Sequence, residues 1–238
     1  MSVTVPTYTA AQVRAAEQPL LEAGEPLMRR AAAALARIVR EERTTGDRRV
    51  LVLAGSGDNG GDALLAAADL ADAEDLVIDV LPVGTRVHEA ALGAAVAAGA
   101  RLIDVSEIAA GHGADGSMDA APDVVLDGVL GLGGSGARAL RGTAAAAVSA
   151  LLPAVAAGRT RVIAVDLPSG LDPDAGAMAG AILPATLTVT FGGVKAGLVT
   201  GRGPEFAGEV VLVDIGLGAG LAAAEPAGEA SISRVVSG

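Results

Sequence analysis

Short apolar runs alternating with alanine-rich helical stretches predict an α/β protein built on a parallel, doubly wound sheet. Two further observations point the same way. The runs are continuously apolar, as strands covered on both faces are. Three of them lead straight into short motifs dense in glycine and polar residues: GDNGGD at 57–62, DGVLGLGGSG at 127–136 and DLPSG at 166–170. With 238 residues the chain is long enough for one sizeable α/β domain and too short for two generous ones.

The elements follow in order. Residues 9–22 carry helix formers, with Gly24 just beyond as a stop. Pro26 opens a second helix, whose Leu27, Met28, Ala31, Ala34, Leu35, Ile38 and Val39 recur at three and four residues and make one apolar face. That face is directed at the sheet or at a partner subunit. The first central strand is Val50 to Ala54; after the glycine corner an Ala/Leu-rich helix restarts. Residues 76–83 are the second strand, 87–99 a small-residue helix, and 101–105 the third strand. The fourth is 124–126, followed by a helix over 143–157 that Pro153 should bend or end early. The fifth is 161–165, and 187–191 and 210–213 are two more. From Gly216 alanine and glycine dominate and no second core is predicted; 219–238 reads as a disordered tail or linker, with at most a stray strand at 231–236.

Composition removes several function classes. The net charge of −11 opposes nucleic acid and anionic membranes as general partners. Aromatics are only Tyr8, Phe191 and Phe206, too few for a base-stacking platform. The absence of cysteine excludes disulfides, thiolate chemistry and zinc–thiolate sites. The first twenty residues lack a basic segment followed by an apolar core, and the uncharged run 175–194 contains Pro184 and four glycines, so neither a signal peptide nor a membrane helix is expected. The expectation is a soluble, cytoplasmic protein. His88 and His112 lack ligand-spaced partners and read as surface residues.

The 55–62 corner, strand then glycine-dense turn then helix, has the form of a phosphate-binding site, and Gly55, Gly57 and Gly60 fit G-x-G-x-x-G. Its two carboxylates, Asp58 and Asp62, are out of place in a loop that only holds phosphate. They suit a loop that also holds a cation or sets an acid beside a reacting atom. The rival is a glycine turn with solvated aspartates. In an open parallel sheet the three motifs meet at one crevice beyond the strand ends. Asn59, Asp127 and Ser169 then supply an amide oxygen, a carboxylate and a hydroxyl, a hard-oxygen set suited to a monovalent cation. Taken singly, Asp127 also reads as a capping residue and Ser169 as a turn residue. Asp166 ends an apolar strand and precedes Leu167-Pro168, so it is expected to be rigid and partly desolvated, which suits proton transfer. A structural aspartate bonded to the next turn is the alternative.

GDNGGD, the D-x-x-x-G-x-G-x-x-G segment, VDLPSGLDPDAG, TVTFGGVKAG and VDIGLG, in this order, resemble the YjeF N-terminal domain family, whose enzymatic members are NAD(P)H-hydrate epimerases. The resemblance spans about Tyr8 to Gly218 and departs from the family's first corner at Asp58 and Ala63, which stand for Asn and Gly. It implies a three-layer αβα sandwich with a Rossmann-like, mostly parallel sheet, forming one domain over 1–218. It also implies epimerisation of hydrated NADH or NADPH at C6 of the nicotinamide ring, a metabolite-repair reaction. Carried over by position, Asp58, Asn59, Gly60, Gly61, Asp62, Gly131, Leu132, Gly133, Gly134, Ser135, Gly136, Ala137 and Asp166 line the substrate. Asn59, Asp127 and Ser169 bind one potassium ion per subunit, and Asp166 is the acid–base group. Lys195 is a weaker candidate for phosphate or carboxamide contact. A homodimer and functional coupling to an NAD(P)H-hydrate dehydratase are implied too. The alternative is a non-catalytic nucleotide-binding module of the same fold. An ordinary NAD-dependent oxidoreductase is disfavoured, because Pro82-Val83-Gly84 stands where an acidic residue would bind ribose.

Overall fold

The computed structural model describes residues 2–71, 76–110, 121–133 and 136–238. The chain begins with strand β1 (Val3–Tyr8), then helices α1 (Ala10–Glu22) and α2 (Leu27–Glu42). Thr9 caps α1 in a reciprocal capping box with Gln12. Gly24 follows in the left-handed conformation that ends such helices. Next come β2 (Arg49–Ala54), α3 (Asp58–Ala71), β3 (Val77–Pro82), α4 (Glu89–Ala97), β4 (Arg101–Leu102) and α5 (Val105–Ala110). The core closes with β5 (Val124–Gly128), α6 (Gly142–Ala156), β6 (Arg161–Val165) and β7 (Leu187–Phe191). After it run β8 (Val194–Lys195), the short α7 (Gly203–Phe206), β9 (Glu209–Asp214), α8 (Gly218–Leu221), β10 (Gly228–Ile232) and β11 (Arg234–Ser237).

Eight strands form one sheet in the order β11-β9-β7-β6-β5-β2-β3-β4, and every pair in it is parallel. Strand order reverses beside β2, whose neighbours are β3 and β5. Both faces are covered. Val50, Val52 and Ala54 of β2 pack with α1–α4 on one side; Leu51 and Leu53 pack with α6 on the other. This is the three-layer α/β sandwich. The apolar stripe of α2 is core: Leu27, Ala31, Ala34, Leu35, Ile38 and Val39 are all buried. A second sheet, β10-β1-β8, carries a smaller cluster around Leu167, Leu171, Val194 and Ile232.

Several elements depart from the sequence reading. β1 is not predicted, because it contains Pro6 and mostly exposed residues; its pairing with β10 and β8 makes it a strand. The expected tail 219–238 instead supplies β10 and β11, which extend each sheet at an edge. Edge strands bury one face only, so they lack the continuous apolar signal. The third strand shrinks to two residues before α5 begins. Pro153 lies inside α6, which continues to Ala156; only the last turn follows it, where few backbone bonds depend on it. His88 is exposed and caps α4, its Nδ1 accepting from the Ala91 amide at 3.2 Å. His112 lies outside the described residues. No helix among the described residues is long and apolar enough to cross a membrane.

Candidate active site

The ends of β2, β5 and β6 meet where strand order reverses, the position at which open α/β sheets bind ligands. Hydrogen bonds tie the three motifs together. Ser169 Oγ donates to Asp127 Oδ1 at 2.6 Å, and the Ser169 amide donates to Asp127 Oδ2 at 2.9 Å. The Leu130 amide donates to Ser169 Oγ at 2.9 Å. Asn59 Nδ2 reaches the carbonyl oxygens of Val165, at 2.5 Å, and Leu130, at 3.2 Å. Asn59, Asp127 and Ser169 therefore occupy one place, although they are far apart in sequence. Asp127 lies within β5 and not after it, and burial pushes its carboxyl pKa up against the opposing pull of the Ser169 hydrogen bonds. Among the described residues no cationic side chain pairs with it.

The first corner is not the loop the sequence reading expects. α3 begins at Asp58, so Asn59 to Asp62 form its first turns, and none of Gly55, Gly57, Gly60 and Gly61 has a positive φ. Close approach explains two of these glycines. A Cβ on Gly55 would run into the Val129 carbonyl oxygen, and one on Gly60 into the carbonyl of Gly55. Gly55→Ala is expected to cost about 1–3 kcal/mol, as overpacking against backbone does; urea denaturation checks it.

A cavity of about 1080 Å³ opens over this junction. Asp58, Asn59, Asp62, Gly131, Leu132, Gly133, Ala137 and Asp166 line it. Gly60 and Gly61 do not; they lie buried behind its wall, Gly61 facing Met28. Gly136 turns with φ +77° and borders a separate small pocket beside Pro168 and Gly170. Gly134 and Ser135 lie outside the described residues.

Asp166 is the only described non-glycine residue with positive φ, at 71°, and is 3% exposed. Such a conformation is costly unless the surroundings impose it. They do. Its Oδ1 accepts from Thr190 Oγ1 at 3.1 Å, from the Phe191 amide at 3.2 Å and from Lys195 Nζ. No described residue donates to its Oδ2. Lys195 is 1% exposed and also donates to Thr190 Oγ1 and the Phe191 carbonyl, so its ammonium is not available to a phosphate or carboxamide. It is the counter-ion of Asp166.

Residues the sequence reading missed complete the wall: Arg14 and Glu17 of α1, and Arg138. Arg14 donates to the Leu132 carbonyl and Arg138 to that of Gly131, at 3.1 Å. Glu17 is partly buried, and desolvation raises its pKa. Nothing local marked α1 as part of the site. Thr190 had a signal: it and Thr188 are wholly buried polar residues in an apolar strand.

Fold and crevice together define an α/β protein that holds a small ligand at the switch point of a parallel sheet. Residues 24–197 match the family model described as YjeF-related protein N-terminus, and the chain belongs to that family. It is 57% identical over 231 residues to a protein of Microbacterium testaceum named NAD(P)H-hydrate epimerase, covering 97% of this chain and 86% of that one. A protein of the same name from Clavibacter michiganensis is 50% identical, covering 88% and 90%. A bifunctional NAD(P)H-hydrate repair enzyme of Mycobacterium tuberculosis is 43% identical over 88% of this chain but 41% of its own. The crystal structure of the yeast protein YNL200c has the same fold, with a TM-score of 0.67, 17% identity, and coverage of 84% and 86%.

Proposed function

We infer that this chain is an isomerase that interconverts the R and S epimers of hydrated NADH or NADPH at C6 of the reduced nicotinamide ring. The 57% identity to a protein named for that activity, over nearly the whole chain, carries the reading. The site supports it over a non-catalytic module: the strand-end aspartate and Asn59 line one cavity, and the hydrogen-bonded pair Asp127 and Ser169 is joined to Asn59 through Leu130. The chemistry asks little of the protein. The C6 hydroxyl leaves as water with a proton from an acid, the ring nitrogen lone pair stabilises the cation, and water returns to the opposite face. Asp166 lines the cavity with Oδ2 uncommitted, which suits it to exchange a proton there, while Lys195, Thr190 and the Phe191 amide hold it in place. The first amides of α3, at the positive end of the helix dipole, offer anchorage for an anionic or carbonyl group of the substrate.

Asn59, Asp127 and Ser169 would hold potassium, one ion per subunit. The donor set fits: hard oxygens and one buried carboxyl with no cationic side chain beside it among the described residues. Bound there, the ion would supply positive charge beside Asp127 and tie the strand ends together. Exchanging sodium for potassium at constant ionic strength is expected to raise the thermal midpoint, by up to about 2.7 kcal/mol of stability at a hundredfold excess over the dissociation constant. Asp127→Ala should abolish that difference in differential scanning fluorimetry.

Coupling to an NAD(P)H-hydrate dehydratase fits the longer relatives named as bifunctional repair enzymes, of which this chain matches 41%. A homodimer and a cytoplasmic location complete the reading. The direct test supplies the isolated R epimer and an S-specific dehydratase and follows recovery of NADH absorbance. No acceleration over spontaneous interconversion would overturn it.

A further inference from the structure

Asp62 is the unexplained group of the site. It sits one helical turn after Asp58 on α3, lines the cavity and is 6% exposed. Its Oδ1 is buried without a hydrogen-bond partner, and no described residue donates to either oxygen. An ionised carboxylate is ill-suited to such a place, because burial without a donor or counter-ion costs several kcal/mol. The charged groups around it are Asp58 on its own helix, Glu17 on α1, Asp166 after β6 and Lys195 on β8. Three of the four are carboxylates, and the one cation is already bound to Asp166.

An epimerase acting at a carbon with a leaving hydroxyl needs an acid on the face the hydroxyl leaves and a base on the face water enters. By microscopic reversibility the two exchange roles in the reverse direction. Pairs of carboxyls whose surroundings push their protonation states apart make such acid and base partners. Here one carboxyl is held by an ammonium, and the other has no hydrogen-bond donor or ion-pair partner among the described residues.

We propose that Asp62 is the second proton carrier of this site, a neutral carboxylic acid that serves one ring face while Asp166 serves the other. The inference rests on the epimerase reading and extends it. In one direction Asp62 gives its proton to the C6 hydroxyl, the C6–O bond breaks, and water departs as the ring nitrogen lone pair forms a C=N bond. Water then adds to C6 from the opposite face and loses a proton to Asp166. The enzyme is left with Asp62 ionised and Asp166 protonated, which is the state ready for the reverse conversion; proton exchange with solvent resets it. Burial first, then the neighbouring carboxylates, hold the Asp62 pKa well above its ordinary value, in keeping with the acid role.

The test is Asp62→Asn in the intact chain with potassium present, following R-to-S conversion by chromatography. The expected result is a fall in kcat of about 10²–10⁴-fold with KM changed by less than about threefold. Asp62→Glu should recover about tenfold or more of the loss by restoring an acid. A second readout needs no turnover. Because the folded pKa of Asp62 is raised, its share of stability is present below the unfolded value and is lost as pH rises toward the folded one. Asn has no such loss, so the gain in melting temperature of Asp62→Asn over wild type should grow as pH rises above the ordinary carboxyl value of about 3.9. A defect confined to KM, retention of about a third or more of wild-type kcat, or equal loss in the Asn and Glu variants overturns the proposal. Wild type no faster than the spontaneous reaction would instead overturn the epimerase reading, while the pH-dependent stability shift would still report on Asp62.

Discussion

Replacing Asp166 with asparagine is expected to lower the epimerisation rate by about two to four powers of ten, the span set by loss of a positioned acid–base group. Asparagine is the informative choice because the residue must adopt a φ of 71°. Asn and Asp enter that region more readily than other side chains, so Asp166→Asn preserves the turn where Asp166→Ala would strain it. Asparagine still offers an oxygen to Lys195, Thr190 and the Phe191 amide, but it takes no proton from water. The loss should fall on kcat, and substrate affinity, measured by calorimetry, should change little. Near-normal turnover with binding intact would remove Asp166 from proton transfer and leave it a structural residue of the β6 turn.

What the sequence made legible follows from the signals each part of the fold carries. β2, β5, β6 and β7 are buried on both faces, so their runs stand out without any pairing information. The polar residues at or beyond their ends become site candidates once the strands are read as parallel, which is why Asn59, Asp127 and Ser169 group together from the sequence alone. β1, β10 and β11 fail the same test, since their strand character comes from partners: Val3 pairs with Ile232, and Val235 with Leu212. The glycines of the first corner answer to packing and not to backbone conformation, since none has a positive φ. Positive φ is a local property that a motif suggests, whereas the approach of the Val129 carbonyl to Gly55 is a tertiary one. Glu17 and the orphaned Asp62 oxygen belong to that second kind, because burial depends on what other elements place overhead.

Lys195 is the hardest residue to read from its neighbourhood, and its replacement should have the largest effect on stability. Asp166 stands 29 residues before it, and no spacing rule links a strand-end aspartate to a lysine in a two-residue strand of another sheet. Lys195→Met keeps the apolar stem and removes the charge. It leaves the Asp166 carboxylate without its counter-ion at 3% exposure, and breaking a buried pair from one side costs about 3–5 kcal/mol. For a chain of this length that is a fall of roughly 6–20 °C in melting temperature. The double variant Lys195→Met with Asp166→Asn removes both charges and should regain most of the loss, since replacing a whole buried pair by neutral groups is often nearly neutral. Calorimetric melting of the four proteins in the cycle gives the coupling directly. If the two single losses simply add, the pair contributes nothing as a pair, and Lys195 is held in the core by its methylenes and by Thr190 and Phe191 instead.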